Sequence, residues 1–219
     1  MSISLGPHSS GVTDRAALVR RGLRLNYLTI GYNALEAAAS LIAGLIAGSV
    51  ALIGFGFDSV IEVTASAAAQ WRLRADWNAR HRERIEHRTL RIVGWCFIAL
   101  AAYVAYDSAK SLWLHDAPKR SVAGIIILAM SVIVMPVLAR AKRRVARGLN
   151  SKALEGEAAQ TSLCAYLSVI ALAGVALNAV LGWWWADPAA ALVMVPIIVR
   201  EGLEGIRGEA CGDDCEAPR

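Results

Sequence analysis

The chain is 219 residues long and 56% apolar, with a mean hydropathy of +0.45 and a net charge of +5. Soluble domains hold nearer ~45–50% apolar residues; the excess here falls in windows of about 20 apolar residues, the length that crosses a bilayer as a helix. The basic residues lie between those windows, where they orient the chain and meet anionic lipid head groups, so a nucleic-acid partner is set aside.

A basic amino-terminal tail over residues 1–24 carries Arg15, Arg20, Arg21 and Arg24. No short apolar run closed by small residues follows it, so a removable signal peptide is not expected. Six spanning helices are expected over Leu25–Ile46, Val50–Trp71, Ile92–Trp113, Val122–Ala141, Ala153–Leu181 and Pro188–Ile206. The fold class is therefore all-α, a six-helix transmembrane bundle over residues 25–206. The turn Ala47–Gly48–Ser49 is too short for anything but a tight hairpin. Trp183, Trp184 and Trp185 gather before the sixth span, where indole favours the interface and Pro188 suits a helix start. A short polar tail over residues 207–219 closes the chain, too small for a folded domain.

Charge sets the orientation. The amino-terminal tail, the Arg72–Arg91 and Arg140–Lys152 loops and the carboxy-terminal segment together hold 20 Lys and Arg, against three (Lys110, Lys119, Arg120) on the other side. Positive charge stays inside, so both termini are expected in the cytoplasm, as an even number of spans requires.

Acids inside a spanning helix cost about 2.5–3.5 kcal/mol on insertion scales and tend to face a bundle interior, a partner or water. Glu36 in the first span and Asp58 and Glu62 in the second are of this kind. Asp58 and Glu62 stand one turn apart on one helix face, where two carboxylates repel unless a cation or a proton joins them. Hydrogen bonds to Ser or Asn on a neighbouring helix are the alternative. In the fifth span, Glu157, Gln160, Thr161 and Cys164 form one polar stripe at helical spacing. The acid and amide offer hard oxygen and the thiol a softer donor suited to zinc. Taken singly, Cys164 also reads as a small buried hydrophobe and Gln160 as an interhelical hydrogen bonder. Glu36, with Asn33 a turn earlier, either lines a path and takes a proton or bonds a neighbouring helix. Asp107, Lys110 and Asp116 belong to the outer interface, with Asp107 and Lys110 spaced to pair. His81 and His87 read as solvated loop residues, and Cys211 and Cys215 as part of a disordered tail.

The segment Gly48-Ser-Val-Ala-Leu-Ile-Gly-Phe-Gly-Phe-Asp58-Ser-Val-Ile-Glu62 resembles the second-helix motif of the cation diffusion facilitator family of metal/proton antiporters. Ser151-Lys-Ala-Leu-Glu-Gly-Glu157-Ala-Ala-Gln160-Thr-Ser-Leu-Cys164 is similar to its fifth-helix motif, and Trp185-Ala-Asp187-Pro188 to the turn that opens its sixth helix. The resemblance covers all six spans. It implies that Asp58 and Glu62 are the two second-helix ligands. Gln160 and Cys164 fall where the family usually has His and Asp, a departure that leaves metal preference open, and Glu157 matches a family Asp. The family's cytoplasmic carboxy-terminal domain is expected to be absent, as in the short branch that includes the vesicular zinc transporter of animal synapses.

What the resemblance implies is alternating access: a divalent cation, zinc first, exchanged for protons, with Glu62 and Glu157 as proton carriers and Asp58 as anchor. No prosthetic group is expected. A homodimer is, with Gly44 and Gly48 permitting close helix contact. The cell's inner membrane is the expected location. The alternative is a metal-binding membrane regulator of the same fold without turnover. An enzyme is not expected, since neither His-Glu-x-x-His nor Gly-x-Ser-x-Gly occurs, and no filter-like loop points to a channel.

Overall fold

The computed structural model describes the backbone of residues 9–74, 79–149 and 152–207, and the side chains of residues 17–67, 70, 91–149 and 154–207. Within these residues every regular element is a helix: α1 (Ser9–Ala47), α2 (Val50–Arg74), α3 (Ala79–Leu114), α4 (Val122–Leu149), α5 (Lys152–Leu181) and α6 (Ala186–Arg207). All six expected helices are present, and three of them, α1, α3 and α4, extend well past their expected ends. The 39 residues of α1 reach about 58 Å at 1.5 Å per residue, beyond a hydrocarbon core of about 30 Å. Most of the Arg72–Arg91 stretch, expected as a loop, is helical, with α2 running to Arg74 and α3 starting at Ala79. Its Arg, Glu and Ala are good helix formers, so nothing stops the helix where the apolar residues end. His81 and His87 fall in α3, but their side chains lie outside the described ones, as do Cys211 and Cys215 entirely.

Five of these helices are long and apolar enough to cross a membrane; α6 is not. Between Asp187 and Arg200 it has only the 12 residues 188–199, about 18 Å of uncharged helix. It is instead packed along α3 and α5. The α3 and α6 backbones touch at Gly94 and Gly202: a Cβ on Gly94 would lie 2.6 Å from the Gly202 carbonyl oxygen, so no larger residue fits there.

Helix α2 holds the centre. It packs against α1, α3, α5 and α6, and 61% of its apolar window is buried, against 28–39% in the other four spans. Leu52 and Phe55 are fully enclosed, joined by Val104 of α3, Leu128 and Met135 of α4, and Met194 and Ile198 of α6. The outer faces carry exposed apolar residues such as Leu35, Ile126, Tyr166 and Val180, the surface a lipid environment wants.

The α1–α2 hairpin is closed by local chemistry. Gly48 takes φ +68°, and the Ser49 amide reaches back to the Gly44 carbonyl at 3.0 Å, a left-handed glycine cap. Ser49 then caps α2, its hydroxyl accepting from the Leu52 amide at 3.1 Å. Asp187 of α6 completes the joint: one carboxylate oxygen accepts from the Ser49 hydroxyl and the other from the Val50 amide at 2.9 Å. Gly44, read above as permitting close helix contact, lets α1 approach α2, since a Cβ there would meet Ile53 at 2.8 Å. At the same end Trp183 stacks on Trp185, with ring centres 5.3 Å apart. Asp107 takes the Tyr103 hydroxyl at 3.5 Å rather than pairing with Lys110.

Candidate metal site between α2, α5 and α6

Helical phase brings the acids inward. Asp58 and Glu62 lie on the α2 face that turns away from lipid and are 5% and 2% exposed. Together with Gln160 of α5 and Glu201 of α6 they line one small cavity, about 10 Å³ to a water-sized sphere, which is near the room one water requires. Its remaining walls are apolar, with Phe97, Leu167 and Ile198 among them.

Asp58 Oδ2 and Glu62 Oε2 are buried and, among the described residues, receive no hydrogen bond. A buried anionic oxygen without a donor is costly, and it is relieved by a cation or by a proton. The other Glu62 oxygen, Oε1, accepts from the Thr161 hydroxyl at 2.9 Å. Cys164, 2% exposed, lies beside Asp58 and close to its carboxylate. Glu157 sits one turn from Thr161 and approaches the Lys142 ammonium at 3.9 Å.

The structure thus gathers Asp58, Glu62, Gln160, Thr161 and Cys164 at one interface, with Glu157 at its edge. Among the described residues no three His, Cys, Asp or Glu side chains converge on a common point, so holding an ion would require these donors to rotate together. Glu36 and Asn33 do not line the cavity. Glu36 Oε2 accepts from Ser59 at 3.0 Å, next to Asp58 in the chain, while Glu36 Oε1 and both polar atoms of Asn33 are buried without hydrogen bonds. They belong to a longer stripe on α1: Asn26, Thr29, Asn33, Glu36 and Ser40, at alternating steps of three and four, are all buried. Near the end of that stripe Asn26 bonds Gln70 of α2 at 2.6 Å. A polar seam therefore runs along the α1–α2 contact past the cavity.

Two site residues escaped the sequence reading. Lys142, counted above with the solvated basic loop, lies in α4 and is 4% exposed. The signal was available: the buried face of α4 runs Leu128, Ser131, Met135, Ala139, and the next step in phase is Lys142. Glu201, which the sequence did not single out, lines the cavity from α6, next to the Gly202 that packs on Gly94 of α3.

The pattern of the cation efflux transmembrane domain matches residues 27–208. The chain belongs to the cation efflux family. That family, the cation diffusion facilitators, consists of membrane transporters, and the match covers α2 to α6 and α1 from residue 27 on. The chain is also similar to the magnetosome protein MamB of Paramagnetospirillum magneticum, 29% identical over 74% of this chain and 57% of that protein. The chain thus spans a little over half the length of that relative.

Proposed function

We propose that the protein carries a divalent metal cation, zinc first, across the bilayer in exchange for protons. The observation that carries this reading is that Asp58 and Glu62 line one cavity and each holds a buried oxygen, Oδ2 and Oε2, with no hydrogen bond among the described residues. Membership of a cation efflux family agrees with it. Asp58 and Glu62 are its principal ligands, with Gln160 and Cys164 supplying an amide oxygen and a thiolate, and Glu157 a further carboxylate at the edge. Thr161 orients Glu62. Glu36 and Asn33 line the route along the α1–α2 seam and take part in proton transfer.

Proton exchange follows from the chemistry of the donors. A carboxylate that binds a proton binds metal less well, so a proton gradient drives release on the acidic side. The basic ends of the helices orient the cytoplasmic face, which makes the direction efflux across the cell's inner membrane. The acting unit is a homodimer. The test is zinc-dependent proton flux in proteoliposomes: the wild-type protein couples the two fluxes, and Asp58→Ala with Glu62→Ala moves neither. A double variant that still transports zinc ends the proposal.

A second reading has two observations in its favour. Gln160 and Cys164 stand where the family usually has His and Asp, and Lys142 brings a positive charge to the edge of the site. A protein that binds metal but never turns over, serving as a membrane regulator, fits both. Metal binding without flux in the same vesicles identifies it.

A further inference from the structure

We propose that Lys142 is a tethered counter-ion that competes with the transported cation for the carboxylates of Glu62 and Glu157, and so sets the affinity of the site. This rests on the transport reading above and concerns a residue outside the ligand set.

Among the described residues Lys142 is the one buried Lys or Arg. Its ammonium donates to the Thr161 hydroxyl at 3.1 Å and stands 3.9 Å from a Glu157 carboxylate oxygen. An ammonium has only donors, so Thr161 accepts from it and has its single proton left to give. Two acceptors lie within reach, Glu62 Oε1 at 2.9 Å and the Glu157 carbonyl at 3.0 Å. Lys142 thus stands at ion-pair distance from Glu157 and within one hydroxyl of Glu62.

An ammonium cannot coordinate a metal, and a divalent ion held by the same carboxylates repels it. One of the two must leave. Lys142 has somewhere to go: its four-carbon stem is flexible, and Arg140, Arg143 and Arg144 beside it on α4 are exposed. The metal-free site therefore keeps a positive charge of its own, and a binding cation displaces it towards the face that carries the basic residues. Lysine suits this exchange better than arginine, whose planar fork would grip a carboxylate in two places.

The test uses the full-length protein in nanodiscs, with zinc and cobalt affinity measured by calorimetry. Lys142→Met, which keeps the bulk and removes the charge, is expected to tighten binding at least about tenfold, the scale at which close charge pairs couple. In a Glu157→Gln background the same change is expected to have less than half that effect on a logarithmic scale. In transport, Lys142→Met lowers KM for zinc and lowers kcat with it, because release slows. A folded Lys142→Met protein with unchanged or weaker affinity overturns the proposal. Should that variant not fold, the wild-type chain decides: reductive methylation of Lys142, read by mass spectrometry, is expected to quicken on adding zinc. An unchanged methylation rate in zinc-bound protein overturns it equally. A wild-type protein that binds neither zinc nor cobalt sinks the transport reading, and this inference with it.

Discussion

Asp187 and the pair Asp58 and Glu62 are buried acids in one bundle, with opposite fates. Asp187 is 1% exposed, and both its oxygens are used, one by the Ser49 hydroxyl and one by the Val50 amide at the start of α2. Its charge also faces the positive end of that helix. Asp58 and Glu62 are also buried, yet each keeps one oxygen that receives no hydrogen bond from the described residues. Burial alone therefore does not mark function. What separates the two regions is whether the protein itself completes the hydrogen bonding, and an acid left incomplete is available to an ion.

The comparison predicts different losses. The largest falls at the incomplete pair: Asp58→Asn or Glu62→Gln is expected to weaken zinc binding by at least about 100-fold, since even outer-shell changes at metal sites cost 10–100-fold. Folding should survive, because an amide replaces a carboxylate of the same size. Equal zinc affinity in calorimetry would erase the distinction drawn here. At the complete site the reverse is expected. Asp187→Asn should lower stability by about 2 kcal/mol, the scale of a charged hydrogen bond, visible as an earlier thermal transition in detergent. Zinc affinity of the folded fraction should stay unchanged.

Three smaller effects sharpen the comparison. Protons compete with metal at carboxylates, so affinity should rise with pH, by up to about tenfold per pH unit for each proton displaced. A flat profile between mildly acidic and neutral pH would mean that the acids hold no protons to exchange. Gln160→His should tighten zinc by about tenfold, since imidazole nitrogen suits zinc better than an amide oxygen does. The smallest change is at Cys164, already beside Asp58. Cys164→Ser should cost cadmium about threefold more than manganese, the preference of sulfur for soft ions. Equal losses for both ions would remove the thiol from the ligand set.

The hairpin shows the same contrast at the level of the fold. Gly48 and Ser49 read correctly as a tight turn, because a three-residue link between apolar runs has few solutions. The partner that locks it, Asp187, is 137 positions from Val50, a distance that no local pattern reports. Gly44 shows the complementary case. Its small size was legible, but whether it serves another copy of the chain or the neighbouring helix depends on what packs there, and that is Ile53.

Hydropathy and charge spacing were sufficient for the class, the six helices and the inward face of Asp58 and Glu62, because each depends on periodicity along one helix. The long extensions of α1, α3 and α4, and the charged ends that leave α6 short of a full apolar span, are likewise readable from composition once helix propensity is followed past the bilayer. Which side chains share a cavity could come only from the packing of α2 against α5 and α6. Packing of α4 on α5 likewise turned Lys142 from one basic residue among many into the one buried Lys or Arg among the described residues, and the packing of α6 brought Glu201 to the cavity that Asp58 lines. The reason is geometric: a helix's own spacing states which residues face inward together, whereas what they meet there is contributed by other helices, at contacts as close as Gly94 on Gly202.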